Sequence, residues 1–143
     1  MAALERGFDD ALADLVELAR IPGVSAPGFD PEHVVRSAEC VAALLERSGL
    51  ERVELLRLPG AHPYVVAEKR AARADAPTAL VYAHHDVQPP GRPERWQTPA
   101  FEPTVRADGR LYGVASSTTR RACCSTLRRC GPGSRRRARP RYT

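Results

Sequence analysis

The 143 residues contain little lysine and few long hydrophobic runs. Cysteine is also scarce over most of the chain. No stretch approaches the roughly 20 apolar residues of a membrane-spanning helix, so we expect no membrane span. Residues 1–6 lack the charged-then-apolar layout of a signal peptide, so we expect a cytoplasmic protein. Without a secretion signal, four cysteines do not predict a disulfide framework. One lysine against 21 arginines is typical of a GC-rich gene.

The charge of the chain changes sign near residue 113. Residues 114–143 contain nine arginines and no Asp, Glu or Lys, so residues 1–113 hold the other 13 basic and all 17 acidic residues, a net charge of −4. Three of the four cysteines also lie in the tail. Segments whose charges all have one sign repel themselves, so we expect residues 114–143 to be a disordered basic tail. Residues 1–113 are enough for one small domain.

Apolar residues recur at helical spacing in two segments of the first half. The first stripe consists of Phe8, Leu12, Leu15, Val16 and Ala19, with Leu18 beside it. The second stripe consists of Val34, Ala38, Val41, Leu44 and Leu45. Pro22-Gly23 ends the first helix, and Asp30 is the expected N-cap of the second, with Pro31 in its first turn and Ser48-Gly49 closing it.

The following segments are typical of β-strands. Residues 52–57 and 64–68 read as partly exposed strands, and residues 78–82 as a buried third. Asp108-Gly109, between Val105 and Leu111, predicts a two-residue hairpin turn. Two helices followed by strands that flank a loop predict an α/β layered domain.

The third predicted strand runs directly into His84, His85 and Asp86. The end of a strand holds its side chains rigidly, and ligands of α/β sheets bind at that edge. An imidazole there can ligate a metal, and a carboxylate two residues later can orient its ring. The alternative is a polar strand end that faces solvent.

Four motifs surround this segment. Residues 84–90 read HHDVQPP, Trp96 follows, residues 99–103 read PAFEP, and residues 108–113 read DGRLYG. They closely resemble the M20 family of zinc peptidases, whose dipeptidase-like branch reads GHxDVQPP, W, PPFEP and DGRLYGRG in that order. Residues 21–26, IPGVSA, also resemble the family's IPSVSA segment. The resemblance covers residues 1–113 and stops there.

The resemblance implies the N-terminal part of a layered α/β catalytic domain that hydrolyses dipeptides or other small peptide or amide substrates with two zinc ions, with cobalt or manganese as possible substitutes. By the resemblance, His84 is a ligand to one zinc ion. Asp86 is the catalytic-site residue that accepts a hydrogen bond from the N–H of the His84 imidazole. His85 falls where the family varies, and we expect a surface side chain.

Four other side chains match no ligand position. We expect structural roles for His33 and His62, and packing under the loop for Trp96 and Phe101.

The resemblance also shows what this chain lacks. In the family, an Asp soon after LYGRG bridges the two metals, a Glu acts as general base on the metal-held water, and further carboxylates and a distant His complete the metal spheres. None of these follows Gly113. We also expect this chain to lack the family's dimerisation domain, which implies a homodimer in intact members. One zinc ligand makes no zinc site, so we expect the chain to be inactive.

A single-base slip after Gly113 accounts for the tail. One permitted set of codons for residues 114–121, read one base earlier, encodes RGVVDDKA, the family's continuation. Part of this continuation does not depend on the choice of codons. Any two codons for Cys123 and Cys124 contain a Leu codon across their junction in the neighbouring frame.

Two other interpretations of the tail compete with this one. Arg135–Arg137 would suit a non-enzymatic protein that binds nucleic acid through phosphate contacts, but Tyr142 is the tail's only aromatic residue, so the tail carries charge without a device for reading bases. A zinc knuckle from Cys123, Cys124 and Cys130 lacks the two-residue spacing that lets two thiolates share one metal. We expect neither nucleic acid nor a membrane as a partner.

The slip predicts the nucleotide sequence of the gene across codon 114. The neighbouring frame should stay open for several hundred residues and place an Asp pair five and six residues after Gly113. Sequencing this region is the measurement. A stop codon within a few codons, or a frame without those acidic residues, would refute the slip.

Overall fold

Two helices, a hairpin and a second, shorter hairpin follow one another in the computed structural model, which describes residues 2–114. The helices are α1 (Ala2–Ala19) and α2 (Pro31–Arg47). The strands are β1 (Glu51–Leu56), β2 (Tyr64–Glu68), β3 (Thr104–Val105) and β4 (Leu111–Tyr112). The mixed α/β class is confirmed. Of the tail expected to be disordered, residues 114–143, only Val114 is described, and it is buried; residues 115–143 lie outside the described residues.

Helix α2 forms as its sequence predicts. Oδ1 of Asp30 accepts a hydrogen bond from the amide of Glu32 at 3.0 Å, and Pro31 occupies the first turn. Ser48 caps the other end, with its amide donating to the carbonyl of Leu44. An N-cap of this kind stabilises a helix by about 1 kcal/mol. Its predicted stripe faces inward, because four of the five residues are buried, namely Val34, Ala38, Val41 and Leu44.

The β1–β2 hairpin is antiparallel and packs against α2. Leu55 pairs with Val65 and Leu56 with Tyr64, and the register slips by one residue between Glu51 and Glu54. Arg52 lies in this irregularity with a φ of 50°. A bulge of this kind absorbs one extra residue on β1 and increases the local twist.

Two hydrophobic clusters form the core. The helix cluster joins α1, α2 and β2 and consists of buried Leu18, Val41 and Leu44, with Ile21, Cys40, Leu45, Leu50 and Val65 against them. The loop cluster consists of buried Val24, Val87 and Val114, with Ala26, Trp96, Ala100 and Phe101 against them. The loop cluster therefore joins the segment after α1 to the long loop that carries His84 and Asp86. None of the helices within residues 2–114 has the length and apolar character needed to cross a membrane.

The predicted stripe of α1 is wrong at its N-terminal end. Phe8 is 66% exposed, whereas Leu18, expected only beside the stripe, is fully buried. The buried residues of α1 are Leu15, Leu18 and Ala19, toward its C-terminal end, whereas residues 8–10 are exposed. Periodicity identifies a helical face but not how far along the helix a partner extends.

The predicted buried strand at residues 78–82 is also wrong. Within residues 2–114 this segment pairs with no strand, and Leu80 and Tyr82 are 95% and 88% exposed. An apolar run of this type is buried only between neighbouring strands and covering helices. The described residues form two sheets of two strands each, and neither sheet includes the segment.

The predicted hairpin joins β3 and β4, but its turn differs from the prediction. The amide of Gly109 donates to the carbonyl of Arg106 at 2.8 Å, and the amide of Arg106 donates to the carbonyl of Arg110 at 3.0 Å. Gly109 has a φ of 75°, whereas Asp108 keeps a negative φ. A two-residue type I′ turn needs positive φ at both central residues. The loop between the hydrogen-bonded pair Arg106 and Arg110 instead has three residues, with Gly109 at its left-handed position.

The difference between Phe8 and Leu18 predicts different losses of stability. Leu18→Ala should lower the free energy of unfolding by about 2–5 kcal/mol, because it leaves a cavity in the helix cluster. Phe8→Ala, at an exposed position of the same helix, should change it by no more than about 0.5 kcal/mol. Urea unfolding followed by circular dichroism measures both. Equal losses would contradict the placement of α1.

Candidate metal-binding site

The candidate site lies where two loops meet beside the loop cluster. The amide of Val87 donates to the carbonyl of Gly23 at 2.9 Å, and Val24 and Val87 form an isolated parallel β-bridge. Both valines are buried. Because the bridge fixes the backbone of each loop, the residues next to it, Ser25 and Asp86, are brought side by side across 61 positions of sequence.

Asp86 connects Ser25 to His84. The Ser25 hydroxyl donates to Oδ2 of Asp86 at 2.6 Å, and Nδ1 of His84 lies 2.9 Å from Oδ1 of the same carboxylate. Nδ1 also lies 3.2 Å from the Asp86 carbonyl oxygen. Both oxygens can only accept, so the imidazole proton is on Nδ1. In that tautomer Nε2 carries the lone pair with which a histidine ligates a metal.

The electrostatics of the pair favour an ionised carboxylate. Partial burial raises the pKa of Asp86, but the hydrogen bonds from Ser25 and His84 and the charge of a protonated His84 lower it more, so the pKa lies below its ordinary value of 3.8. A carboxylate whose pKa falls on folding stabilises the fold above the unfolded-state pKa. That contribution is lost as the pH falls through the folded-state pKa.

His85 faces the other way and is not the surface side chain that was expected. It is half-buried, its Nε2 lies 3.2 Å from the carbonyl oxygen of Pro63, and its Nδ1 lies 3.3 Å from the Ser37 hydroxyl. That hydroxyl donates to the His85 carbonyl at 2.8 Å, and Ser37 is fully buried in α2. His85 therefore anchors the loop to α2 and to the segment before β2.

The predicted packing roles of Trp96 and Phe101 are confirmed. Both contact the loop cluster, and Nε1 of Trp96 donates to the carbonyl of Pro90 at 2.8 Å. A groove of about 440 Å³ opens beside the ring. It is lined by Pro90, Gly91, Pro93, Trp96, Gln97, Thr98, Pro99 and Ala100. The hydrogen bond from Trp96 to Pro90 ties the end of the HHDVQPP loop to this packing.

The donor set of the described residues fits only part of a metal site. No group of three or more His, Cys, Asp or Glu side chains within residues 2–114 could hold a metal ion. His84 and Asp86 match one imidazole ligand and the carboxylate that orients it. The exposed His62 lies close by, with its Nε2 3.4 Å from the carbonyl oxygen of Ser25, and His33 lies in the first turn of α2.

Ser25 and Ser37 are the residues that sequence reasoning missed. Ser25 stands in the IPGVSA motif, but nothing in the sequence pairs it with Asp86. Ser37 could have been found, because it lies among the apolar residues of the α2 stripe. A buried hydroxyl requires a hydrogen-bond partner, so a serine at such a position predicts one.

Comparison with known proteins gives partial matches. No protein-family model matches the chain, and neither does any solved structure. The chain is 51% identical over 53 residues to a succinyl-diaminopimelate desuccinylase of Paracidovorax citrulli (strain AAC00-1), covering 36% of this chain and 13% of that protein. It is 33% identical over 100 residues to a cysteinylglycine-S-conjugate dipeptidase of Corynebacterium striatum, covering 68% of this chain and 21% of that protein.

The chain thus spans about a fifth or less of the length of either relative. Over that part, the names of its relatives agree with the M20-type hydrolases that its motifs resemble.

The Ser37–His85 contact makes a prediction about stability. Ser37→Ala should lower the free energy of unfolding by about 1–3 kcal/mol, because a buried donor to the His85 carbonyl is removed. Ser48→Ala is the matched control: Oγ of Ser48 donates to the Leu44 carbonyl at 2.8 Å, but the Ser48 amide donates to the same oxygen, so the loss should be smaller. Urea unfolding measures both. A Ser37→Ala loss no larger than that of the control would contradict the anchoring role.

Proposed function

We propose that residues 1–113 derive from the N-terminal part of an M20-type metallopeptidase catalytic domain, most similar to the dipeptidases. The observation that carries this proposal is the 2.9 Å contact between Nδ1 of His84 and Oδ1 of Asp86, made by the His and Asp of the HHDVQPP motif. It is the arrangement of a metal-ligating imidazole and its orienting carboxylate. The partial similarity to a desuccinylase and a dipeptidase supports it.

Each residue of the pair has a role in that proposal. His84 would ligate one of two zinc ions through Nε2, and Asp86 would hold the proton on Nδ1 and raise the basicity of the ligating nitrogen. The two zinc ions, when bound, would supply an acidified water for attack on an amide carbonyl. The parent reaction would be hydrolysis of a peptide or amide bond near a free carboxylate in a small substrate.

The exposed segment at residues 78–82 supports the layered domain. Leu80 and Tyr82 present large apolar surfaces to solvent, and the run is rich in residues that favour strands. In a whole catalytic domain this segment would be an inner strand with neighbours on both sides and helices over both faces. In that setting the run would hold His84 at a rigid strand end.

The present chain holds too few groups for the reaction. The described residues supply one imidazole and its orienting carboxylate, and the sequence after Gly113 supplies neither a bridging Asp nor a general base. A one-base slip after Gly113 accounts for this difference, since the neighbouring frame can encode the DDK segment of the family.

The expected activity follows from this deficit. The purified chain should show no turnover of dipeptides or N-succinyl amino acids with added zinc, cobalt or manganese. The product of a gene with one base restored after codon 113 should hydrolyse at least one of these substrates in a metal-dependent way. Release of the free amine, followed by ninhydrin or chromatography, measures both.

Two variants of the restored protein control the assay. His84→Ala should abolish hydrolysis, because it removes a metal ligand, whereas His33→Ala should leave it unchanged. Hydrolysis that survives His84→Ala, or a restored protein that folds and binds metal but turns over none of these substrates, would overturn the proposal.

A further inference from the structure

We infer that Ser25 is a positioning residue, which fixes the Asp86 carboxylate so that His84 is held in its Nδ1–H tautomer. The inference deepens the proposed function, since that tautomer presents Nε2 to a divalent cation. It rests on two distances: 2.6 Å from the Ser25 hydroxyl to Oδ2 of Asp86, and 2.9 Å from Oδ1 to Nδ1 of His84.

The position of Ser25 is set by the best-packed part of this region. Ser25 directly follows Val24, which is buried in the loop cluster and bridged to Val87. Asp86 directly precedes Val87, whose amide is bound to Gly23. The donor and the acceptor are therefore each one residue away from a fixed backbone contact, and their meeting does not depend on a flexible side chain reaching across a gap.

The Asp86 carboxylate needs such a partner, because its terminal torsion is soft. A carboxylate rotates about its last bond in a broad, two-fold well, and its two oxygens exchange places freely when nothing distinguishes them. The Asp86 side chain is about one-third exposed, so packing alone does not fix that torsion. The serine hydroxyl binds one oxygen and leaves the other directed at the imidazole.

The neighbouring histidine provides an internal comparison. His85 is held by a different serine, because its Nδ1 lies against the hydroxyl of Ser37 in α2 and its Nε2 against the carbonyl of Pro63. The two adjacent imidazoles thus depend on two serines from separate parts of the chain. A substitution of one serine should therefore change the ring signals of only one histidine.

The test uses the chain as it exists, without metal and without an activity assay. Long-range ¹H–¹⁵N correlation spectra of the imidazole rings report which nitrogen carries the proton. They are recorded at one pH, about two units above the usual histidine pKa of roughly 6.5. In the unmodified chain His84 should show the Nδ1–H pattern. Ser25→Val should shift it toward the Nε2–H pattern of free histidine and leave the His85 signals in place.

Ser25→Thr is the matched variant, because threonine has the shape of valine but keeps the hydroxyl. It should retain the His84 pattern of the unmodified chain. Ser37→Ala should move the His85 signals and leave those of His84 unchanged.

Three results would overturn the inference: a His84 pattern unchanged in Ser25→Val, an equal change in Ser25→Val and Ser25→Thr, or a simultaneous shift of both histidines in Ser25→Val. None of these outcomes depends on metal binding or turnover. The positioning role of Ser25 can therefore fail while the peptidase assignment stands, and the assignment can fail while the positioning role stands.

Discussion

The backbone hydrogen bond from the amide of Val87 to the carbonyl of Gly23 sets how the two loops of the candidate site meet. The bond itself contributes a net stabilisation of about 0.5–1.5 kcal/mol. Burial of Val24 and Val87 on either side of it contributes about 1.5–3 kcal/mol for each side chain. Apolar burial therefore stabilises the junction more than the hydrogen bond does, and the hydrogen bond sets the register in which the loops meet. A shift by one residue would turn Ser25 away from Asp86.

The two adjacent histidines of the HHDVQPP segment contact different parts of the chain. His85 lies against Ser37 of α2 and the carbonyl of Pro63, while Nδ1 of His84 lies against Asp86. His85 therefore anchors this segment to α2, although it holds no ligand position in the resembled family.

Local features were predictable from the sequence, and long-range pairings were not. Helix α2 follows from Asp30, Pro31 and an apolar stripe, because all of its determinants lie within about 20 residues. The β2 strand at Tyr64–Glu68 has the bounds that its apolar run predicts. The predicted burial of residues 78–82 was wrong, because a strand is buried by neighbours that are distant in sequence, and the described residues do not supply them. The Ser25–Asp86 contact was missed for a related reason, since it spans 61 positions.

Orientation of an imidazole and ligation of a metal are physically separable, because they need different groups. Asp86 contacts His84 and Ser25 contacts Asp86, and both hydrogen bonds join groups within residues 2–114. Ligation needs three or four donors around one point, with each thiol deprotonated and each imidazole neutral. A chain with the first set of groups and without the second can therefore form the contact between His84 and Asp86, because the loop cluster holds the two loops together. The similarity of the motifs to M20-type enzymes and the inactivity expected of this chain are consequently compatible, since they depend on different groups.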